Sequence, residues 1–415
     1  MWRMGVPVAT PITAHDFLQA VWALVKSGEC RSAFECAVRD LMSVPFVHST
    51  NSGRSALFIT LQAMRRVSSR DEVVIPAFVC PSVGRAVVKA GLKPVLCDVG
   101  PGGSGLDADF LGRVATRRTL AVVTAHLYGY PCEMTTTLDV SRSIGAFVIE
   151  DAAQAFGAKL RGRYVGTTAD VGIFSFGMSK VLWTINGGLI ATSNSTLAKH
   201  IDRGLASSPE VHTFSEAADV AKLGVLRMVV CRHHLGPLAA LWSSAMRGRH
   251  DSNDFDVLKC PPSNAAIAQA LLPRLAEITR IRRRNASYFH GCLSGLDKLI
   301  LPDENPASEP VFLRFPIVVN DVGVKKELLA SLHAKGINAS EMYTRLSYEA
   351  LRRFAANDSK CPRTEYLAER MLNLPTHPYM RECDLNDAVA AFDSVLDRRP
   401  KGTSSPAKNQ SLAVS

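Results

Sequence analysis

Short apolar segments recur between residues 72 and 192 of this 415-residue chain, and stretches with helical spacing separate them. The segments are residues 72–75, 94–97, 120–124, 147–149, 172–174 and 189–192. Unbroken apolar runs of this length are typical of strands covered on both faces. Their alternation with helices predicts an α/β fold with a mostly parallel central sheet.

The length of the chain and a pair of prolines predict more than one domain. A chain of 415 residues with 47% hydrophobic content can bury a large core and exceeds the usual size of one domain. Pro261 and Pro262 indicate a hinge, so we expect a large domain at residues 1–260 and a smaller C-terminal α/β domain at 261–397. The small domain would begin with a helical stretch over 264–292 and contain a strand at 311–318. The tail, residues 398–415, is rich in Lys, Ser, Pro and Gly and is expected to be disordered.

Two acidic residues, Glu150 and Asp151, end the apolar segment at 146–149. Ligands bind outside the carboxyl ends of the strands in open α/β sheets, so Asp151 is well placed to face one. Helix capping is the alternative, because Asp is also favoured where a helix begins.

A lysine follows the next apolar segment. Lys180 comes soon after residues 171–176, and a lysine beside such a run loses solvation, which lowers its pKa. The neutral amine can then attack an aldehyde. A solvated surface cation is the more common fate of a lone lysine. Together, however, Asp151 and Lys180 supply two groups that hold pyridoxal phosphate, one for the ring nitrogen and one for the aldehyde.

A third feature lies upstream, where small polar residues precede a helical pattern. Ser52, Gly53, Arg54 and Ser55 come just before apolar residues with helical spacing. The start of a helix presents free backbone N–H groups and a positive dipole end, which suit a phosphate group. Ordinary capping by Ser52 or Ser55 explains the same residues almost as well.

With these three features, the chain resembles the DegT/StrS family of pyridoxal-phosphate enzymes, the fold type I sugar aminotransferases, over residues 40–395. Weaker matching segments are DEVVIP at 71–76, GLKPV at 91–95, HLYG at 126–129 and LP at 374–375. The resemblance implies a fold type I transferase with a mostly parallel central sheet and a smaller C-terminal α/β domain. Some relatives carry histidine at the lysine position and act as dehydratases, and Lys180 argues against that branch.

The resemblance also implies roles for individual residues. Lys180 would bind the cofactor's aldehyde carbon, and Asp151 would pair with the pyridinium nitrogen. Gln154 would lie against the ring or its phenolic oxygen. The phosphate would be held by Ser175 and by the backbone of three residues at the helix start, Gly53, Arg54 and Ser55.

Two segments depart from the family pattern. Many relatives place an aromatic ring over the cofactor, whereas the stacking position here is Cys80. Phe78, two residues away on the same face of an extended segment, is a candidate substitute, and a place in the core is about as good an interpretation. Relatives also carry an Asn-x-Arg segment that contacts the neighbouring subunit's phosphate. Lys259 is the candidate for that contact in this chain.

The net charge is +10, and part of it lies between residues 221 and 250, where five Lys or Arg residues occur without an acid. Together with the apolar residues of this stretch, these charges predict a basic helical insertion near 210–250. Such a segment can lie on an anionic membrane surface as a peripheral contact, or pack as a helix with a solvated face. No nucleic-acid-binding module accompanies the charge. Attraction of an anionic substrate such as a nucleotide diphosphate sugar is a simpler use.

The combined expectation is a pyridoxal 5′-phosphate-dependent aminotransferase. The family implies an amino donor, expected to be glutamate, a keto group on a nucleotide-linked sugar as acceptor, and a homodimer. Amination of a cyclitol or another cyclic ketone, and a non-catalytic regulatory or membrane-associated role, are the alternatives. Ten cysteines without Cys-x-x-Cys spacing and an N-terminal segment without an apolar core predict a cytoplasmic protein with reduced thiols and no metal site.

Overall fold

A computed structural model describes residues 10–25, 29–177, 180–231, 255–303 and 305–396. The strands are β1 (Phe46–Thr50), β2 (Glu72–Pro76), β3 (Lys93–Cys97), β4 (Thr119–Ala125), β5 (Phe147–Asp151), β6 (Lys159–Leu160), β7 (Arg163–Tyr164), β8 (Val171–Ser175), β9 (Gly188–Thr192), β10 (Leu299–Ile300), β11 (Ser308–Glu309), β12 (Arg314–Val319) and β13 (Met371–Pro375).

The helices surround these strands in the order expected for an α/β fold. They are α1 (Ala14–Ala23), α2 (Cys30–Met42), α3 (Gly53–Arg65), α4 (Pro81–Lys89), α5 (Ala108–Val114), α6 (Thr135–Ile144), α7 (Ser195–Ala206), α8 (Thr213–Cys231), α9 (Pro262–Leu271), α10 (Leu275–Leu293), α11 (Val322–Ala334), α12 (Arg345–Arg352), α13 (Pro362–Arg370) and α14 (Glu382–Leu396).

The central sheet has seven strands in the order β1-β9-β8-β5-β4-β2-β3. Five of them, from β8 to β3 in that order, are paired in parallel, while at one edge β9 is antiparallel to β8 and β1 is antiparallel to β9. All six predicted segments are strands, so the mostly parallel sheet is confirmed. The sequence pattern missed only the edge strand β1 among the strands of this sheet.

Helix α3 shows why the chain folds locally as it does. Ser52 is its N-cap, and the Ser52 hydroxyl oxygen accepts a hydrogen bond from the backbone N–H of Ser55 at 3.2 Å. Leu57, Leu61 and Met64 recur at intervals of four and three residues and are buried against the sheet. Burial of this stripe holds the start of α3 beside the carboxyl ends of the strands.

A second, three-stranded sheet with the order β10-β12-β13 lies in the C-terminal part of the chain. The strand predicted at 311–318 begins only at Arg314, because Val311 donates its N–H to the carbonyl of Gly129 at 2.9 Å instead of joining a ladder. The predicted helical stretch is confirmed as α9 and α10, with a short break at Leu272–Arg274 that contains a proline.

The proposed hinge lies at the start of α9, where Pro261 is the N-cap. Residues of α9, such as Ile267 and Leu271, share one apolar cluster with Phe34 of α2. The first helix after the hinge therefore packs against the large unit. The division into a large domain at residues 1–260 and a small domain at 261–397 stays a prediction. The predicted tail, residues 398–415, lies outside the described residues.

Candidate active site

A cavity of about 670 Å³ opens at the carboxyl ends of β4, β5 and β8. Its wall includes most of the residues singled out in the sequence, namely Gly53, Arg54, Cys80, Asp151, Gln154, Ser175 and Lys180. The topology brings them together because parallel strands end at one edge of the sheet, next to the start of α3. Ser55, Phe78 and Lys259 are not part of this wall.

Asp151 is the last residue of β5, and its carboxylate faces the cavity. Burial raises the pKa of this carboxyl, while the backbone N–H of Ala153, 3.0 Å from Asp151 Oδ1, and the charge of Lys180 oppose that rise. The residues after Asp151 form turns, so the capping alternative does not apply. A cation placed beside this carboxylate would offset its lost solvation.

Phe176 directly follows β8, and Lys180 comes four residues after Phe176. The half-buried side chain of Lys180 lines the same cavity. Burial lowers the pKa of the Lys180 amine, Cys80 and Asp151 act in the opposite direction, and Arg314 lowers the pKa further. Lys180 is therefore not a solvated surface cation. A lowered pKa favours the neutral amine, the nucleophilic form.

The N-terminus of α3 points at the cavity through Ser52, Gly53 and Arg54. The N–H of Ser55 is already used by the Ser52 cap, and the two hydroxyl oxygens lie 2.9 Å apart. A Cβ atom on Gly53 would lie 3.0 Å from Ser175 Cβ, so the glycine lets the helix start approach the end of β8 closely. The result is a cradle of backbone N–H groups and a serine side chain.

Gln154 forms part of the cavity wall through two hydrogen bonds. Its Oε1 accepts from the backbone N–H of Tyr128 at 2.9 Å, and its Nε2 donates to the hydroxyl of Tyr343. Tyr128 has a φ of +59°, a conformation that L-residues rarely adopt. Tyr343, which also lines the cavity, was missed in the sequence because it comes from a distant part of the chain.

The two departures from the family pattern have different outcomes. Cys80 lines the cavity, and its sulfur accepts a hydrogen bond from Ser82 Oγ at 3.0 Å. Phe78 is buried in the core, edge-on to Tyr343 with ring centroids 5.4 Å apart, as the core interpretation expected. Lys259 lies 3.3 Å from Glu210 outside the cavity wall of its own chain. Its contact with a neighbouring subunit's phosphate stays a prediction.

A buried ion pair lies next to the cavity at the end of β5, and the sequence analysis did not predict it. Glu150 lies 3.1 Å from His126 Nε2, and both side chains are 1% exposed. Burial opposes both charges, yet Cys132 and Glu150 raise the pKa of His126 to about 10. Glu150 also accepts backbone N–H groups from Gly166, Thr168 and Ala169. His126 and the hydrogen bonds from Ala169 and Gly166 lower the pKa of Glu150 against the effect of burial. The pair ties the 166–169 loop to the end of β5.

These residues fit pyridoxal phosphate. Asp151 offers a buried anion for a protonated ring nitrogen, and Lys180 offers a desolvated amine for an aldehyde. The close approach of Gly53 to Ser175 forms a cradle for a phosphate. Trp183 Nε1, another buried group in the wall, has no hydrogen-bond partner among the described residues. The cavity wall therefore includes a buried N–H donor to which a ligand could bind.

Helix α8 forms the opposite side of the cavity. Asp219 and Lys222, which form an ion pair at 2.7 Å, and Leu223 line the wall. Part of the predicted basic insertion near 210–250 is thus helical and reaches the cavity, while residues 232–254 lie outside the described residues. Within the described residues, no helix is long and apolar enough to cross a membrane, and no cluster of side chains could hold a metal ion.

Comparison with known proteins shows the family to which the chain is similar. Residues 12–222 and 258–393 match the DegT/DnrJ/EryC1/StrS aminotransferase family, and residues 223–257 fall outside the match. The chain is 31% identical over 372 residues to UDP-N-acetyl-3-dehydro-alpha-D-glucosamine 3-aminotransferase of Acidithiobacillus ferrooxidans, covering 89% of this chain and 88% of that protein. It is 29% identical to GDP-perosamine synthase of Caulobacter vibrioides, with 88% and 89% covered.

Solved structures with a similar fold include DesI. The structure of DesI in the presence of its TDP-sugar product superimposes with a TM-score of 0.76 at 22% identity, covering 96% of this chain and 94% of DesI. Both the sequence match and the shared fold extend over nearly the whole described structure. The chain therefore belongs to the DegT/DnrJ/EryC1/StrS aminotransferase family, and it is an aminotransferase.

Proposed function

We propose that this aminotransferase uses pyridoxal phosphate to move an amino group from glutamate to a keto group of a nucleotide-linked sugar, in polysaccharide or secondary-metabolite biosynthesis. The observation that carries the proposal is that Asp151, Lys180 and the start of α3 face one cavity. These are the three groups that the ring nitrogen, the aldehyde and the phosphate of this cofactor need.

When bound, the cofactor supplies an electron sink for the pair left when a Cα–H bond breaks. The chain's own residues do the rest. The buried carboxylate of Asp151 would hold a proton on the ring nitrogen. Lys180 Nζ would accept the proton from Cα of the amino donor and give it up again, as general base and then general acid. Its lowered pKa makes the neutral amine available for the first of these steps.

Two observations support a nucleotide-linked acceptor. Three relatives that are 31%, 29% and 27% identical to this chain carry names of enzymes that act on UDP-, GDP- and dTDP-linked sugars. The cavity of about 670 Å³ is in the range of small-molecule sites, and the net charge of +10 attracts an anionic substrate. A cyclitol or another cyclic ketone is the alternative, because the wall differs from the family pattern at Cys80.

The homodimer, the peripheral membrane contact of the basic insertion and the cytoplasmic location stay predictions. The family resemblance supports the dimer. The basic composition of residues 221–250 supports the membrane contact. The cysteine spacing supports the location.

Visible absorbance spectroscopy tests the function. Mixed with pyridoxal phosphate, the protein should show the band of the lysine-bound cofactor, and Lys180→Ala should abolish it. Lys222→Ala is the matched control, since Lys222 lines the same cavity but pairs with Asp219. Glutamate should convert the band to that of the pyridoxamine form, and a keto-sugar nucleotide should restore it. Failure of every amino donor to convert the wild-type protein would refute the proposal.

A further inference from the structure

Strand β12 presents its alternate residues to two different parts of the molecule. Phe315, Ile317 and Val319 lie in the apolar core of the C-terminal unit. Val318 instead belongs to the large cluster that contains Phe78, Tyr128 and Tyr343. Side chains two residues apart share a face of a strand. Arg314, at the start of β12, is therefore on the face that is directed toward Tyr128 and Tyr343.

The backbone next to Arg314 is docked on the turn that borders the active site. Val311 donates its N–H to the carbonyl of Gly129 at 2.9 Å. A Cβ atom on Gly129 would lie only 2.7 Å from the backbone nitrogen of Leu313. His126 and Leu127, just before this glycine, line the cavity. The contact places Arg314 one residue beyond a close junction with the cavity wall.

In the part of the chain that the structure describes, the guanidinium of Arg314 has no acidic partner. Among the described residues, no carboxylate forms a salt bridge with it, and burial lowers its pKa while only Tyr343 and Tyr128 act to raise it. Arg314 is not itself part of the cavity wall, but Tyr343, toward which its face of β12 is directed, lines that wall, and the charge of Arg314 also lowers the pKa of Lys180. A half-buried arginine without a counter-ion is costly, and an incoming anion would remove that cost.

The surroundings add positive charge. Arg282 is fully buried and donates to the carbonyl of Leu313 at 3.2 Å and to Thr376 Oγ1 at 3.2 Å. Burial and the charge of Arg314 lower the pKa of Arg282 to about 9. Burial and the charges of Arg282 and Arg314 lower the pKa of the neighbouring His377 to about 3, against the opposing charge of Asp384, which pairs with Arg381 at 3.1 Å. The region around Arg314 is thus electropositive.

We propose that Arg314 binds a carboxylate of the amino donor and holds the donor's Cα beside Lys180. The planar guanidinium offers a pair of parallel N–H donors that match the two oxygens of a carboxylate. The assignment rests on the proposed function, since it names the residue that recognises the donor of that reaction. It makes Arg314 a determinant of donor affinity, with no part in binding the acceptor.

The two half-reactions separate donor from acceptor. In Arg314→Gln, the glutamate concentration for half-conversion of the bound cofactor should rise about 10- to 100-fold, the range for loss of a hydrogen bond between charged groups. The concentration of keto-sugar nucleotide that returns half of the pyridoxamine form should stay within about twofold of the wild-type value. Arg314→Lys should show an intermediate rise, because a lysine keeps the charge but not the paired donors. Arg353→Gln removes an exposed arginine and should change neither half-reaction.

Binding of glutarate, a dicarboxylate without an amino group, gives a second readout. Glutarate should raise the melting temperature of the wild-type holoenzyme, and Arg314→Gln should lose that shift. Unchanged donor dependence and an unchanged glutarate shift in Arg314→Gln would overturn the inference, as would an effect confined to the keto-sugar half-reaction. If Arg314→Gln does not fold, the lysine variant decides by the same criteria. A wild-type protein that no donor converts would refute the proposed function instead.

Discussion

The buried carboxylate of Glu150 permits a quantitative test of how the active-site floor is held. Its Oε1 accepts the backbone N–H groups of Thr168 and Ala169, each at 2.7 Å. Its Oε2 accepts the N–H of Gly166 at 2.6 Å and lies 3.1 Å from His126 Nε2. Replacement by glutamine keeps the shape of the side chain but turns one of the two acceptor oxygens into a donor.

The magnitude follows from which oxygen is lost. An amide nitrogen at the Oε1 position would face the N–H groups of Thr168 and Ala169, whereas at the Oε2 position it would face the N–H of Gly166 and His126 Nε2. The His126 ring cannot readily turn Nε2 into an acceptor, because its Nδ1 already accepts the backbone N–H of Cys132 at 3.1 Å. Either arrangement therefore leaves at least one buried N–H without a partner, which costs about 1 to 3 kcal/mol. Loss of the negative charge weakens the remaining bonds, so Glu150→Gln should lower the free energy of unfolding by about 2 to 4 kcal/mol.

Urea unfolding at neutral pH measures this change. Glu133→Gln is the control, because Glu133 pairs with Arg161 at an exposed site and should contribute less than about 1 kcal/mol. The 166–169 loop should also exchange its amide hydrogens faster in Glu150→Gln than in the control. A loss of stability in Glu150→Gln no larger than that of Glu133→Gln would refute the reasoning.

Two further predictions concern pH and the phosphate cradle. The pKa of His126 is raised to about 10 in the folded protein, so its stabilising contribution is complete below the unfolded value of about 6.5 and is lost as the pH rises toward 10. Unfolding free energies at about pH 7 and about pH 9.5 should therefore fall more steeply in the wild type than in Glu150→Gln, and parallel slopes would count against the pair. Gly53→Ala should raise the dissociation constant for pyridoxal phosphate about tenfold, because its Cβ would crowd Ser175, while unfolding stability changes by less than about 1 kcal/mol. A cofactor titration checks this change, and an unaltered constant would show that the close approach is not needed.

Local sequence patterns determined the strands and the helix start with good accuracy. The apolar segments became β2, β3, β4, β5, β8 and β9, and Ser52 caps α3 as expected. Strand ends are legible in a sequence because burial on both faces leaves an unbroken apolar run. The position of Asp151 at such an end follows from neighbouring residues alone.

Contacts between distant segments could not be read in the same way. Tyr343 reaches Gln154 across 189 positions, and Arg314 lies on the face of β12 directed toward the active site only because Val311 docks on Gly129. Phe78 was interpreted equally well as a substitute for the ring that Cys80 lacks and as a core residue until packing placed it in the core, while Cys80 lies in the cavity wall.

The sequence by itself determined the fold class and the family and singled out Asp151 and Lys180 as site candidates, because these depend on short-range apolar patterns and on the residues beside them. Only the tertiary structure decided which side chains share the cavity, how Glu150 and His126 support it, and that Arg314 has no carboxylate partner among the described residues. The physical reason is that burial, pairing of charges and pKa are properties of neighbours in space, and most of those neighbours are far apart along the chain.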